Sequence, residues 1–531
     1  MLKSIRKQSD THPTHITHPT HLTRPSTQII LVCLVGLALI NITAYAIGLW
    51  NKPVAEDFNP ADWYLHYYGA DSHFRPLIGL TFVFLKAVGG AVAVAPFSYH
   101  LVSLLAHLLT TSGVFVFGSK LTRSWRLGLV MAALFAVYPR HHEPIFWSAS
   151  LPHLYLVMFG MVAVVAHIKS NEGNRLLWRM CAAVFLVFAM CSAEAGIVFS
   201  VLIFAYEYFF GARTHERHPI KRWVKQLFLT VRAVWYLAVP VLFYIAMISI
   251  ARGGLSSVAQ AGSSGNFYRP ALRLSQIQDL AGYITYTLHP FLPLRISAMN
   301  LRLVAFAVAI IICGLGVWRG GRLGRFGLAW MLISILPYLL LVLTGNADRY
   351  FYLASIGFCM LAVSLGQVLA KALAQRIRIA PNIIQGLLAA GVGLYVVAGI
   401  LTIHARAQQW AASGQQFEVM LAKIHTALPT LTPNTQVIFL NLPQEYAGVR
   451  FTGTGIRSAL RYKYELPELD VRETSELEVV EQITAADTNL KSPSGSARIL
   501  EYQNGEFVDR SYATGSKALQ KLLDEIPPFP P

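Results

Sequence analysis

Glu56 and Asp57 form an adjacent acidic pair in a chain otherwise poor in acids. Glu143 (in YPRHHEPIFW), Glu194 (in SAEAG) and Asp348-Arg349 (in TGNADRYFYL) stand at the ends of apolar runs. Converging carboxylates deprotonate a hydroxyl or hold a divalent cation, and an arginine binds phosphate through paired hydrogen bonds. Ionisable groups in or beside hydrocarbon are costly, so each is a functional candidate. The plain alternative for Glu56, Asp62 and Asp71 is a solvated loop acid. For Glu194, between two apolar runs, the alternative is a buried pair with an Arg or His. His141, His142 and His153 loosely resemble metal-ligand spacing, but adjacent histidines project apart, which argues against zinc.

The elements that carry these groups follow from composition. The chain has 531 residues, 54% hydrophobic and 13% charged, with a mean hydropathy of +0.47. Soluble proteins average roughly 45–50% and about 25%, so a soluble enzyme is excluded in favour of a polytopic α-helical membrane protein. The net charge of +17 does not signal nucleic acid. Residues 1–404 hold 32 Lys+Arg and 12 Asp+Glu, and residues 405–531 hold the remaining 12 and 15, giving +20 and −3. That split follows membrane topology. The five cysteines lie in apolar segments without paired spacing and read as small core residues.

Three regions are expected. Residues 1–27 carry a His- and Pro-rich repeat and read as a disordered cytoplasmic tail, with metal capture by its histidines the lesser reading. Residues 28–404 hold about 11 spans, at 28–50, 97–118, 125–138, 151–168, 178–191, 197–210, 231–250, 303–318, 326–343, 351–370 and 383–403. The runs 75–96 and 280–294 are ambiguous and could lie at the interface. With the N-terminus inside, the inner loops hold clusters such as Lys120/Arg123/Arg126 and Arg319/Arg322/Arg325. The candidate acids then fall on the outer face, together with residues 405–531. One outer loop, 252–302, disagrees by holding several arginines. The last region reads as a small extracytoplasmic α/β domain: a buried strand at 436–442, a hairpin around Asn504-Gly505 and a short helix at 517–525.

The strings FRPLIGLTF, FSYHLVSLLAHLLTTSGVFVF, ALFAVYPRHHEPIFWSAS, CSAEAGIVF and DRYFYLASIGF, in this order and spacing, resemble the bacterial relatives of the transmembrane O-mannosyltransferases. That family lies within the membrane glycosyltransferase superfamily of C-type fold that uses polyprenyl-phosphate sugars. The likeness covers about residues 29–404. It implies that Glu56-Asp57 is the acidic pair of the first outer loop, where the catalytic acid is expected. Glu143 matches the glutamate of the family's turn and Glu194 that of its Lys-Glu pair. Arg349 matches the arginine of the Arg-Tyr string, a ligand for lipid phosphate, and Arg75 the arginine before Pro-Leu. Three positions depart from the pattern. The pair is Glu-Asp in place of Asp-Asp, which leaves open which acid acts. Ala193 replaces the lysine, so Glu194 lacks its usual charge partner. Arg140 stands where the turn usually has an apolar residue. The C-terminal helical repeats of the animal enzymes are not present in the chain, which puts a protein acceptor of the animal type in doubt.

The resemblance implies transfer of a sugar from a polyprenyl-phosphate donor to an acceptor hydroxyl on a lipid, glycan or protein. The transfer would take place at the outer face of the cell (inner, cytoplasmic) membrane, with inversion. Asp57, alone or with Glu56, would act as base. Arg349 and Arg75 would receive the lipid phosphate, and Glu143 and Glu194 would orient sugar hydroxyls or a divalent cation. Whether a metal takes part is left open by the sequence. The alternative readings are a membrane transporter or lipid-linked sugar flippase and a non-catalytic assembly protein. The first would more often show two matching, Gly/Pro-interrupted halves, which the sequence lacks.

Overall fold

The computed structural model describes residues 26–59, 62–65, 74–214, 216, 218–251, 275–294, 299–339, 347–377, 379–433, 435–452, 455–474 and 497–509. The His-rich repeat, Asp71 and the helix expected at 517–525 lie outside these residues. Over their described residues all eleven apolar runs are helical, because a helix satisfies its backbone hydrogen bonds internally in lipid. Among the described residues, eight helices are long and apolar enough to cross a membrane. They are Thr27–Gly48, Pro96–Thr122, Ser148–Ser170, Arg175–Ser192, Pro219–Ala251, Met299–Trp318, Asp348–Gln375 and Pro381–Ala427. The other three runs form Trp125–Ala136, Val198–Phe210 and Gly321–Leu339. The first two, of 12 and 13 residues, extend only about 18–20 Å, against a hydrocarbon thickness of about 30 Å. The two ambiguous runs are 14-residue helices, Pro76–Gly89 and Ser275–Leu288.

Proline opens several of these helices at the first turn, where its missing N–H costs nothing: Pro76, Pro96, Pro219 and Pro381. Leu31, Val32, Leu394 and Leu401 turn outward, as a lipid-facing surface requires. Several buried polar groups are matched inside. His107 bonds the Tyr352 hydroxyl (2.8 Å) and the Ala136 carbonyl (3.1 Å), and His141 bonds Ser355 (2.9 Å). At the opposite ends of the Leu151–Ser170 and Val198–Phe210 helices, Glu207 is held by His167 and Asn171, each at 2.8 Å. An unmatched carboxylate there would carry the full cost of desolvation.

The Pro381–Ala427 helix is 47 residues long and runs through position 404 without a break. Its buried residues Ala407, Trp410, Ser413, Phe417, Met420 and Ile424 recur every three or four positions, one face of a helix. Beyond it lie the strands β1 (Gln436–Leu440), β2 (Glu445–Tyr446), β3 (Val449–Arg450), β4 (Asp470–Thr474), β5 (Ala497–Gln503) and β6 (Glu506–Asp509), with the Gly455–Tyr464 helix between β3 and β4. The four-stranded sheet has the order β4-β1-β5-β6. β1 is parallel to both neighbours, and β5 pairs antiparallel with β6. Gln503 faces Glu506 across the two-residue turn. Asn504 and Gly505 both have positive φ, 50° and 87°, as a type I′ hairpin turn requires.

Helix packing gives a direct test. A Cβ on Gly160 would lie 2.1 Å from the Phe199 ring, which is fully buried and packs on Trp330. Gly160→Ala is expected to cost about 1–3 kcal/mol through overpacking. Gly393→Ala, with nothing within 4 Å, is expected to be neutral or slightly stabilising. Thermal unfolding of both variants in detergent checks this.

Candidate active site

Among the described residues, the charged site candidates sit on short turns between helices or at a helix start. Glu56 and Asp57 lie on a 3-10 turn, Ala55–Phe58. Arg75 caps the Pro76–Gly89 helix, and Glu143 lies on the short His142–Phe146 helix. Glu194 begins the Glu194–Ile197 turn after the extended Ala193. Asp348 and Arg349 form a turn that leads into the Phe351–Ala372 helix. Such ends free backbone groups and break the side-chain stripe, so charged residues there point across the gap instead of into lipid.

The charges meet as pairs. Arg349 donates to Glu143 from both its guanidinium and its backbone N–H, the latter at 3.0 Å. Its Nη2 donates to the Tyr350 hydroxyl (3.0 Å), and the guanidinium lies over the Trp147 ring at 5.1 Å. Arg75 donates to Glu194 through Nε (3.0 Å) and Nη2 (2.9 Å). The charge partner missing at Ala193 is therefore supplied by Arg75 from another helix. Tyr350, which accepts from Arg349, stacks on Tyr338 with ring centroids 4.4 Å apart.

Arg140, the departure from the family turn, is explained by Asp348. Its Nη1 donates to Asp348 at 2.6 Å, and its other nitrogens donate to the carbonyls of Tyr286 (3.2 Å) and Leu292 (2.6 Å). The second Asp348 oxygen bonds His142 Nε2 at 2.8 Å. Trp410, on the long helix, donates to His142 Nδ1 at 3.1 Å, so the ring proton sits on Nε2, facing Asp348. Asp348 thus serves as a structural hub beneath Arg349. Neither Arg140 nor Trp410 was among the sequence candidates. Arg140 stood out in the sequence as a charge in an apolar position, whereas Trp410 carried no signal.

The two adjacent acids have different surroundings. Both Asp57 oxygens accept backbone hydrogen bonds, from Val54 N–H (3.0 Å) and Ala149 N–H (2.9 Å), so Asp57 ties its turn to the Ser148–Ser150 turn. Burial pushes its carboxyl up to about 7, against the lowering effect of those bonds. Glu56, 12% exposed, meets Arg450 of β3 at 3.0 Å and acts electrostatically on Arg349 and Tyr64. Ala55, just before it, has φ of +47°. That conformation is unfavourable for a residue with a Cβ, and such strain persists only where the surroundings fix it. His141, His142 and His153 diverge to Ser355, Asp348 and Tyr338. Among the described residues no three His, Cys, Asp or Glu side chains are grouped to hold a metal ion.

No family model matches the chain. It is 27% identical over 170 residues to Protein O-mannosyl-transferase TMTC3 of Mus musculus, covering 32% of this chain and 17% of that protein. It is 28% identical over 173 residues to Protein O-mannosyl-transferase tmtc2 of Xenopus laevis, covering 30% and 19%. The likeness to transmembrane O-mannosyltransferases read from the sequence is thus borne out over a third of the chain, which spans less than a fifth of these relatives' length. Among solved structures, the apo oligosaccharyltransferase of Archaeoglobus fulgidus aligns at a TM-score of 0.48 and 13% identity, covering 78% of this chain and 62% of that one. The oligosaccharyltransferase AglB of the same organism, in complex with an inhibitory peptide and a dolichol-phosphate, aligns at 0.46 and 13%, covering 80% and 64%.

Two predictions follow from the geometry. Arg140→Met leaves the buried Asp348 carboxylate without its guanidinium and is expected to cost about 3–5 kcal/mol. Arg140→Met with Asp348→Leu is expected to be less destabilised than Arg140→Met alone, measured as unfolding in detergent. For Asp57, the folded chain holds the proton up to about pH 7, whereas an unfolded carboxyl releases it near 3.9. Proton binding therefore favours the folded state below about pH 4, and this contribution is lost as pH rises through 7. Thermal stability measured across pH 4–8 is expected to show this fall in wild type and not in Asp57→Asn.

Proposed function

We propose that this chain is a membrane glycosyltransferase that moves a sugar from a polyprenyl-phosphate donor to an acceptor hydroxyl, with inversion, at the extracytoplasmic face of the cell membrane. The observation that carries this reading is the convergence, at helix ends, of a carboxylate pair with Arg349 and Arg75. The mannosyltransferase relatives add the class of chemistry. The acceptor would be a lipid, a glycan or a protein.

Glu56 is assigned as the base because it faces the charge of Arg450 at 3.0 Å, while Asp57 uses its oxygens to tie the turn to the backbone amides of Val54 and Ala149. Glu56 takes the proton of the acceptor hydroxyl as that oxygen attacks the anomeric carbon. The bond from that carbon to the phosphate oxygen breaks, and its electron pair leaves with the phosphate. Arg349 and Arg75 stabilise the charge that develops there, while Glu143 and Glu194 hold the two guanidiniums in orientation. General-base help of this kind is typically worth about 10²–10⁴-fold. Asp57 fixes the turn on which the base stands.

The test is release of label from a radiolabelled polyprenyl-phosphate sugar in membranes containing wild type, Glu56→Gln, Asp57→Asn or Arg349→Ala. Glu56→Gln is expected to lose about 10²–10⁴ of the wild-type rate, and Asp57→Asn less than that. Arg349→Ala is expected to slow release. The reverse order of the two acid variants would assign the base to Asp57. Release by none of the four proteins, across several sugars, would exclude the glycosyltransferase.

A further inference from the structure

The acid-bearing turn is held from outside the helical bundle. A Cβ on Gly455, the first residue of the Gly455–Tyr464 helix, would lie 1.9 Å from the Ala55 carbonyl carbon and 2.4 Å from the Glu56 nitrogen. The helix thus starts directly on the strained residue that precedes Glu56. Ser458 of the same helix donates to the Asn59 side chain at 3.1 Å. Phe58 stacks on Phe417 of the long helix at 5.6 Å and lies 6.4 Å from Tyr462. Lys52 pairs with Glu418 at 3.2 Å. Arg450 brings its guanidinium to Glu56 at 3.0 Å.

We propose that the C-terminal domain completes the active site, with Arg450 as a positioning residue that orients the Glu56 carboxylate through its guanidinium and the Gly455–Tyr464 helix holding the turn beneath it. The inference rests on the glycosyltransferase reading only for what Glu56 does once in place. The turn is short, carries a positive φ at a residue with a Cβ, and joins two segments that enter the bundle separately. The domain's contacts on both sides of Glu56, at Ala55 and at Phe58–Asn59, supply what the turn's own hydrogen bonds do not. Among the described residues, the charged and titratable groups acting on Glu56 or its neighbours include Arg450 from β3, Asp57 from the same turn, Arg349, Tyr64 and, through Tyr64, Arg75. Arg450 is the group among these that comes from the C-terminal domain.

The experiment uses the full chain in detergent or nanodiscs, as wild type, Arg450→Ala and Arg450→Lys. Two readouts are taken. In the transfer assay, removal of the cation beside Glu56 is expected to move the ascending limb of the rate to higher pH. A shift of one unit lowers the rate about tenfold on the acid side of the limb. Donor KM is expected to change little, and Arg450→Lys to restore most of the loss. In hydrogen exchange, the amides of Asp57 and Asn59, bonded to Val54 and Glu56 carbonyls at 3.0 Å, are expected to exchange faster in Arg450→Ala than in wild type. Gly455→Val is expected to do the same by lifting the helix off the turn.

An unshifted limb with a lowered yield of folded protein would make Arg450 a merely structural residue and overturn the proposal. Unchanged exchange in both Arg450→Ala and Gly455→Val would overturn it as well. If wild type transfers no sugar, the glycosyltransferase reading fails by itself, and the exchange measurement still decides whether the domain holds the turn.

Discussion

Charge placed among apolar helix ends has to be matched within hydrogen-bond reach, and this constraint organises the whole upper part of the bundle. Arg140 with Asp348, Arg349 with Glu143, Arg75 with Glu194 and Arg450 with Glu56 each join two segments far apart in the chain. Coulomb attraction grows as the local dielectric falls, but so does the penalty for removing either ion from water. Such pairs therefore contribute less to stability than to selecting which turns face one another. Here they tie turns from different helices to one another in pairs, and they do it with side chains that would be strongly unfavourable if misregistered.

The hierarchy among the pairs has a physical basis. Arg140 and Asp348 are nearly sealed, with side chains 3% and 10% exposed, and the guanidinium is further bound by two carbonyls. Arg349 and Glu143 lie one step nearer solvent, and Arg75 and Glu194 nearer still. The most buried pair has every nitrogen and oxygen committed and can only support. The outer pairs stand where a ligand can share their hydrogen-bonding capacity. Asp57 and Glu56 repeat the same division within two adjacent residues: one side chain is spent on backbone amides and the other is turned toward charges from two other elements.

Much of this was legible in the sequence, and the reasons for the rest are specific. Apolar run length is a local property, and so every expected run is a helix. Asn504-Gly505 announced its hairpin because few other residue pairs accept two successive positive φ values. The Pro381–Ala427 helix runs on past the span expected at 383–403, because hydropathy drops at position 404 while helical order does not. Helical periodicity continues there in Ala407, Trp410, Phe417 and Ile424, and the period was the better guide. The acids and arginines of the site were recognisable by their cost. Their partners were not, since pairing across the chain leaves no mark in local spacing. Ala193 reads in the sequence as a lost cation, and Arg75 supplies that cation beside Glu194. Arg140 looked like an anomaly until Asp348 was found beneath it. Arg450, in a segment with soluble composition, gave no sign of its contact with Glu56.

The uninterrupted 47-residue helix has a mechanical consequence. It is a rod without a hinge, gripped near its middle where Trp410 bonds His142 and loaded at its far end, where Lys423 holds the Gly505 carbonyl and Glu506. From Trp410 to Ala427 the arm is about 25 Å long, so a tilt of about 5° displaces its tip by about 2 Å. Transmembrane helices tilt to suit the thickness of the bilayer around them. The lipid in which the chain resides is thereby geared to the β5–β6 hairpin at the helix's far end, and a change of bilayer thickness would act on this protein as a displacement at the end of a lever.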